Sequence, residues 1–240
     1  MKVEIWSDVV CPWCYIGKRR FEAALARFTH RDEVTVEWKS FELDPGAASS
    51  PADEAPDPSG YARRLAGKYG TTEAEAEKML ASMTGAAAVE GLDFRFDRAV
   101  PANTFEAHQL VHLAAQHGRQ DVMKERLLRA YFTEGAAVGD REVLVRLAAE
   151  VGLDAEEVRT ALSSQRFAPA VRDEQAEATA LGIRGVPFFV VDRRYGVSGA
   201  QPADQLLEVL DRAWSEAHPL TVVGSGGGDA AACGPDGCAI

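Results

Sequence analysis

The stretch KVEIWSDVVCPWC, residues 2–14, joins a short strand pattern to a C-x-x-C motif and decides the fold. Val3 and Ile5 alternate with polar neighbours, which predicts a strand that ends just before the motif. Apolar residues then recur at helical spacing as far as Phe28, and residues 34–38 alternate again as a second strand. The chain therefore opens with a β-α-β unit whose first cysteine lies where the strand gives way to the helix.

The place of the motif at the start of a helix favours thiol chemistry. There Cys11 meets unpaired backbone N–H groups and the positive end of the helix dipole, and both stabilise a thiolate. Pro12 suits the first helical position because it has no N–H to leave unsatisfied. Two intervening residues bring Cys14 about one turn along, within reach of a disulfide with Cys11. Zinc ribbons use the same spacing, so the motif by itself leaves a metal site open.

The middle of the chain is predicted to be helical. Residues 44–58 are rich in Pro, Ala, Ser, Asp and Glu, which is typical of an exposed loop. Helical patterns follow over residues 59–69, 72–90, 103–117, 120–134, 140–151, 154–163 and 168–181. Polar side chains predict helix caps, namely Thr72 with Glu75, Asn103 with Glu106, Asp140 and Asp154.

Strand character returns in residues 185–192 and 195–198, and a last helix is predicted from Pro202, as its first residue, to Trp214. The order β-α-β, helical block, β-β-α predicts an α/β chain with a thioredoxin-like fold and a large all-helical insertion domain. The predicted domains are a discontinuous thioredoxin-like domain (residues 1–43 and 183–217), a loop and helical insertion domain (44–182) and a flexible Gly-rich tail (218–240).

The tail carries a second cysteine pair, Cys233 and Cys238, in a C-x4-C arrangement. This pair is interpreted as an auxiliary redox dithiol that exchanges with the first pair, as an incidental or locally oxidised tail, or as metal ligands. A Gly-rich tether from Gly224 to Cys233 has an r.m.s. reach of about 16–18 Å. Exchange therefore requires the last helix to end near the C-x-x-C motif.

The composition argues against several classes of partner. With 240 residues and 46% hydrophobic content, the chain can bury a substantial core without disulfides or metals. A formal net charge of -11 and the lack of any basic run argue against nucleic acid and anionic membranes. Glu4 and Asp8 interrupt any secretory signal, and no apolar run approaches the roughly 18 residues of a membrane span. We therefore expect a cytoplasmic protein, in which clustered cysteines are redox-active or metal-binding.

Four motifs in order resemble the FrnE-type branch of the DsbA family, and the resemblance spans residues 1 to about 217. They are CPWCYIG at 11–17, NTFEAH at 103–108, GVPFF at 185–189 and VSGAQ at 197–201. The resemblance implies a thioredoxin domain interrupted by a helical one. It also implies disulfide oxidoreductase or isomerase activity on protein or small-molecule thiols and disulfides. No tightly bound cofactor is expected, and glutathione is a candidate redox partner.

The resemblance implies roles for residues on two distant segments. Cys11 is implied as the nucleophile, Cys14 as the resolving thiol and Pro187 as a cis-proline that faces them. In thioredoxin-like folds the backbone beside this proline pairs with an extended substrate, which makes Val186 and Pro187 candidate substrate-binding residues. A proline is unusual inside a sheet, and an ordinary trans proline at the start of a strand is the plainer alternative.

The residues between the two cysteines and a pair of histidines each allow a functional and a purely structural interpretation. Pro12 and Trp13, inside the motif, are candidate substrate-binding residues because the Trp13 ring offers apolar contact, although exposed packing would also explain the ring. His108 and His112 lie four residues apart on one helical face, a spacing that can hold a metal. No acidic or cysteine ligand is fixed beside them by sequence, so we expect a packing or solvated role and predict no metal site.

Two other functions are kept as alternatives. Glutathione-dependent enzymes, such as 2-hydroxychromene-2-carboxylate isomerase and kappa-class glutathione transferases, resemble the chain in layout but typically lack the full cysteine pair. Retention of both Cys11 and Cys14 favours dithiol chemistry and still allows glutathione as a partner. The third hypothesis is a non-catalytic metal-binding or chaperone-like protein, because four thiolates could in principle hold zinc.

Overall fold

The sheet is built around β1 (Lys2–Ser7), which pairs in parallel with β2 (Thr35–Ser40) and antiparallel with β3 (Phe188–Val191). The strand β4 (Tyr195–Ser198) pairs antiparallel with β3, so the strand order is β2-β1-β3-β4. The computed structural model describes residues 1–51 and 57–219. The β-α-β opening and the later pair of strands are therefore both confirmed.

The helices occupy the predicted places along the chain. Helix α1 (Pro12–Arg27) connects β1 to β2, and a 3-10 turn (Arg31–Glu33) precedes β2. Between β2 and β3 lie α2 (Gly60–Tyr69), α3 (Glu73–Val89), α4 (Phe105–Gln116), α5 (Gln120–Arg129), α6 (Arg141–Glu150), α7 (Ala155–Ser163) and α8 (Ala168–Ala180). The last helix, α9 (Ala203–Ala217), follows β4. The helical insertion between two halves of the sheet is thus present.

Three of the predicted helix caps are confirmed. Thr72 and Glu75 form a reciprocal capping box at the start of α3. The Asp140 carboxylate accepts a hydrogen bond from the Val143 amide (3.0 Å) at the start of α6. Asp154 caps α7 in the same way. These side chains satisfy first-turn amides that have no partner inside their helices.

The fourth predicted cap, Asn103 with Glu106, is wrong. Helix α4 begins at Phe105, and the Asn103 side-chain oxygen accepts from the Phe105 amide (3.1 Å) while its NH2 group donates to the Pro45 carbonyl (3.2 Å). Glu106 forms an ion pair with Arg141 instead of closing a box. The Asn103 side chain therefore joins the helix entry to the preceding loop, a contact that local sequence does not show.

Two helix boundaries also differ from the prediction. The predicted helix over residues 120–134 is α5 followed by a π-helical turn (Ala130–Glu134), which ends at Gly135 with φ of 72°. Pro202 precedes α9 as its N-cap rather than being its first residue, and α9 continues past Trp214 to Ala217. The extended φ and ψ of Pro202 (-54° and 149°) explain why the helix begins one residue later.

Strand β1 is covered on both faces, which its alternating sequence did not indicate. Val3 and Ile5 are fully buried in the main core, and their polar neighbour Glu4 is only 1% exposed. Glu4 forms ion pairs with Lys39 and with Arg193, which lies in the turn after β3. A buried carboxylate needs such partners, because burying an unpaired charge is costly.

The helical insertion shares one apolar core with the sheet. Buried residues of β1 and α1 and those of α4, α5 and α6 belong to the same contiguous cluster. A smaller cluster on the other sheet face joins Trp6 and Val190 to Ala178 and Ile183. The predicted domain boundaries remain a prediction. Within the described residues, none of the helices combines the length and apolar character required to cross a bilayer.

Glu174 on α8 ties the helical insertion to β2. Its carboxylate accepts a hydrogen bond from the Ser40 amide (2.6 Å), lies 3.1 Å from His112 Nε2 on α4, and pairs with Lys39 (3.3 Å). Burial alone would raise the pKa of Glu174, but the contacts with His112 and Ser40 outweigh burial and lower that pKa to about 2. The ionised carboxylate is therefore the form that the fold stabilises.

We predict that Glu174→Gln lowers the free energy of unfolding by up to about 3 kcal/mol near neutral pH, from the pKa difference between 4.5 and about 2. Because the folded pKa is depressed, this stabilisation is present above about pH 4.5 and is lost as the pH falls toward 2. Urea unfolding of wild type and variant over this pH range measures the difference in the free energy of unfolding. Glu156→Gln, at an exposed position on α7, is the control, and it should change the free energy of unfolding little. A wild-type-to-variant difference that stays constant with pH would contradict the prediction.

Candidate active site

Cys11 and Cys14 lie at the start of α1, directly after β1. Cys11 is the N-cap residue and Pro12 the first helical residue, as predicted. The Cys14 amide donates to the Cys11 carbonyl (3.0 Å), so both cysteines belong to the first turn. Both are free thiols in this structure. Cys11 is 4% exposed and Cys14 is fully buried, so Cys14 is shielded beneath the helix.

The loop before β3 lies against this turn. The Val186-Pro187 peptide is cis, in agreement with the expected conformation, and the Cys11 sulfur lies 3.5 Å from the Val186 carbonyl oxygen. A Cβ atom on Gly17 would lie only 2.8 Å from Pro187 Cγ, so the missing side chain at Gly17 permits this approach. The structure thus brings together the two predicted segments of the site, 175 positions apart in sequence.

Beneath the cysteines lies a group that we call the buried polar cluster: Asp8, His108 and Lys124, each 1% exposed. Asp8 follows β1, and its carboxylate lies 3.3 Å from His108 Nε2 on α4 and accepts from the Leu43 amide (2.8 Å). Burial would raise the pKa of Asp8, but the contacts with His108 and Leu43 outweigh it and lower that pKa. Asp8 is therefore held as a carboxylate inside the protein.

Lys124 supplies a buried positive charge from α5. Its ammonium donates to the Ser7 carbonyl (3.4 Å) and lies 5.7 Å from the centre of the Trp38 ring. Burial lowers the pKa of Lys124, while the charges of Cys14 and Asp8 act in the opposite direction. Sequence reasoning missed Lys124. The available signal was its place among the buried apolar residues of α5, which a solvated lysine would not occupy.

The thiol of Cys14 experiences opposing influences. Burial and the neighbouring sulfur of Cys11 raise the pKa of Cys14 well above its usual value. The charge of Lys124 and a hydrogen bond from the Asp8 backbone act against this rise. The buried polar cluster therefore favours the thiolate form of a thiol that burial keeps protonated.

Trp13 projects beside the cysteines toward the helical insertion. Its ring is 40% exposed and borders a shallow groove with Lys78, Met79, Ser82 and Met83 of α3. Its exposure agrees with either of the interpretations made from sequence. The substrate-binding role of Pro12 and Trp13 remains a prediction.

The two histidines of α4 point to different carboxylates rather than to one metal. His108 faces Asp8, whereas His112 Nε2 faces Glu174 and lies 3.2 Å from the Ser40 hydroxyl. Both are largely buried, so they are packed and hydrogen-bonded rather than solvated. No group of three or more metal-ligating side chains occurs among residues 1–51 and 57–219.

Cys233 and Cys238 lie outside the described residues. Helix α9 ends at Ala217, and its Trp214 ring stacks on His30 with ring centres 4.1 Å apart. His30 follows the C-terminal end of α1, whereas Cys11 caps the N-terminal end, and the 16 residues of α1 span roughly 24 Å. The last helix therefore does not end near the motif, and exchange between the two cysteine pairs remains a prediction.

We predict that Gly17→Ala displaces Pro187, because its new Cβ would overlap a rigid ring, and that the Val186 carbonyl then moves away from Cys11. The expected results are a loss of about 1–3 kcal/mol of stability and several-fold faster alkylation of Cys11 by iodoacetamide. Gly67→Ala is the matched control, since its Cβ would meet nothing within 4 Å on α2. This control variant should gain up to about 1 kcal/mol of stability. Its rate of Cys11 alkylation should stay unchanged. A Gly17→Ala protein that behaves like the control would refute the argument.

Comparison with known proteins places this geometry in a family. Residues 2–211 match the model of the DSBA-like thioredoxin domain. A probable DsbA oxidoreductase from Streptomyces coelicolor has a similar crystal structure, with a TM-score of 0.83 and 47% identity over 100% of this chain and 99% of that one. The uncharacterized protein YwbO of Bacillus subtilis strain 168 is 29% identical over 196 residues, 79% of this chain and 86% of YwbO.

A more distant match shows the fold alone. The cytosolic disulfide reductase DsbM from Pseudomonas aeruginosa, in a structure with GSH, has a TM-score of 0.59 and 21% identity, covering 89% of this chain and 99% of DsbM. The expected thioredoxin-like fold with a helical insertion is confirmed by the family model and by the Streptomyces coelicolor structure. Because the family model covers most of the sequence, the chain belongs to the DSBA-like thioredoxin domain family.

Proposed function

We propose that this chain is a thiol–disulfide oxidoreductase that acts through a mixed disulfide at Cys11, with Cys14 as the resolving thiol. The observation that carries the proposal is the position of Cys11, which caps α1 above the buried Cys14 and lies 3.5 Å from the Val186 carbonyl. The similarity to the Streptomyces coelicolor protein, a probable DsbA oxidoreductase, supports it. The FrnE-type branch is the finer assignment that we propose within the family.

In the proposed reaction the Cys11 thiolate attacks one sulfur of a substrate disulfide. A Cys11–substrate disulfide forms, the substrate S–S bond breaks, and the departing thiolate takes up a proton. The Cys14 thiolate then attacks the Cys11 sulfur and releases the second substrate thiol. Two electrons pass to the substrate, and the protein gains the Cys11–Cys14 disulfide. In the reverse direction a substrate dithiol is oxidised.

The surroundings of the cysteines support each step. Cys11 lies at the N-terminal end of α1, and the Val186 carbonyl accepts an N–H of an extended substrate beside Pro187. Cys14 needs assistance because burial raises its pKa. Lys124 supplies it as a positioning residue, since its buried charge favours the Cys14 thiolate at the moment of attack.

We place the reaction in the cytoplasm, where reduced thiols favour reduction or isomerisation of substrates. Glutathione is the proposed redox partner, in keeping with the GSH present in the distant DsbM structure. The glutathione-dependent isomerase or transferase remains the alternative. It predicts tight glutathione binding that survives replacement of both Cys11 and Cys14.

We predict that Cys11→Ser abolishes insulin reduction and the refolding of scrambled RNase, because it removes the attacking sulfur. Cys14→Ser should instead accumulate a mixed disulfide at Cys11, which mass spectrometry of the intact protein detects. The Cys233→Ser, Cys238→Ser protein is the background for both, so that only the first pair reacts. Undiminished activity of Cys11→Ser would disprove the mechanism.

We predict that Lys124→Met slows the resolution of the mixed disulfide by about tenfold or more at pH 7, because one pKa unit corresponds to a factor of ten in thiolate. The rate of mixed-disulfide formation should change much less, and the pH profile of resolution should move to higher pH. Lys18→Met is the matched control: Lys18 is 2% exposed and also lies over Trp38, but it pairs with Glu22, Asp121 and Glu125. Equal effects of both substitutions on resolution would show that Lys124 acts only through stability.

A further inference from the structure

Three exposed cations of this acidic protein lie on α2, on α3 and in the loop before β3, and we call them the cationic rim: Arg64, Lys78 and Arg184. Within the part of the chain that the structure describes, none of them has a carboxylate within ion-pair distance. By contrast, neighbouring surface cations such as Arg20 and Arg63 are paired with Glu90 and Asp57. The charge of the rim is therefore available to a ligand.

Arg184 belongs to the loop that contacts the nucleophile. It precedes by two residues Val186, whose carbonyl lies 3.5 Å from the Cys11 sulfur. An extended substrate that pairs with Val186 would therefore pass beside Arg184. The long arginine side chain can reach a carboxylate one or two residues from the exchanging sulfur.

Arg64 is connected to the site from α2 through aromatic side chains. Its guanidinium lies 5.4 Å from the centre of the Tyr61 ring and donates a hydrogen bond to the Ala99 carbonyl (3.1 Å), which uses one of its five N–H groups. The Tyr61 ring packs on Phe96, with ring centres 4.7 Å apart, and Phe96 packs on Phe94 (5.5 Å). Phe94 in turn stacks on Tyr15, the residue after Cys14, with ring centres 6.0 Å apart. Continuous aromatic packing therefore connects Arg64 to the first turn of α1.

Lys78 borders the groove that begins at Trp13. The walls of this groove are largely apolar because they include the Trp13 ring and the side chains of Met79 and Met83. A ligand that lies there would find apolar contact next to a cation. Cys11 itself is only 4% exposed, so a small or flexible disulfide reaches its sulfur more readily than the disulfide of a folded protein.

Building on the proposed function, we propose that the preferred substrates are low-molecular-weight disulfides that carry carboxylates, selected by Arg64, Lys78 and Arg184. One such disulfide oxidises reduced Cys11 and Cys14 and leaves as two thiol molecules, so the electrons and protons balance without another reactant. The rim cations attract the carboxylates and orient one sulfur toward Cys11.

The test measures how fast three small disulfides oxidise the fully reduced protein. The probes are oxidised glutathione (anionic), bis(2-hydroxyethyl) disulfide (neutral) and cystamine (cationic), used with the Cys233→Ser, Cys238→Ser protein after rapid mixing and acid quench. The anionic-to-neutral rate ratio cancels any change in the reactivity of Cys11 itself. For wild type, this ratio should fall as ionic strength rises, because salt screens exposed charges.

Each of Arg64→Gln, Lys78→Gln and Arg184→Gln should lower the anionic-to-neutral ratio by about two- to fivefold, the effect typical of one exposed charge pair. The cationic-to-neutral ratio should rise in the same variants. Arg64→Lys and Arg184→Lys keep the charge and should retain most of the preference. Arg146→Gln, an exposed charge on α6, is the matched control and should leave both ratios unchanged.

Three results would overturn the inference. The first is that both rate ratios stay unchanged in the variant that carries all three glutamine substitutions. The second is that Arg146→Gln lowers the anionic-to-neutral ratio as much as the rim variants do. The third is that the disulfide of a longer acidic peptide reacts faster than oxidised glutathione. Failure of the proposed function gives a different result, since no disulfide would then react faster with wild type than with Cys11→Ser. Reaction with all three probes without charge preference would retain that function and reject only the cationic rim.

Discussion

The close packing of Pro187 against Gly17 determines the geometry of the whole site. Because Gly17 has no side chain, the loop before β3 lies directly on α1 and brings the Val186 carbonyl to the Cys11 sulfur. Strand β1 supports both partners, since it leads into α1 and pairs with β3 at Trp6 and Phe188. The nucleophile and the backbone beside it are therefore positioned by the same strand, and neither depends on a flexible connection.

The helical insertion completes the surroundings of the cysteines. Helix α4 supplies His108 to Asp8, α5 supplies Lys124 beneath Cys14, and α3 supplies the groove beside Trp13. The contacts of His108 and Lys124 join segments that are about a hundred residues apart in sequence. The insertion and the sheet also share one apolar core, so movement of the helices would alter the electrostatics at Cys14.

Local sequence predicted the features that depend on local physics. The strand and helix around Cys11 and the caps at Thr72, Asp140 and Asp154 each follow from neighbouring residues, and the structure contains them. The features that local sequence did not show involve partners distant in sequence. Asn103 bonds to a loop rather than closing a capping box, and Glu4 is buried against cations from other segments. Spacing within one segment carries no information about such partners.

The buried lysine has a consequence for the direction of exchange. Holding an ammonium group inside the protein costs several kcal/mol unless partners compensate, and Lys124 has the Ser7 carbonyl, the Trp38 ring and the nearby Asp8 charge. A Cys14 thiolate adds a further opposite charge, whereas the Cys11–Cys14 disulfide is neutral and adds none. In the proposed chemistry Lys124 therefore stabilises the reduced pair more than the oxidised pair. Stabilising the reduced form makes a disulfide more oxidising, so Lys124 offsets part of the bias toward the disulfide that burial of Cys14 creates.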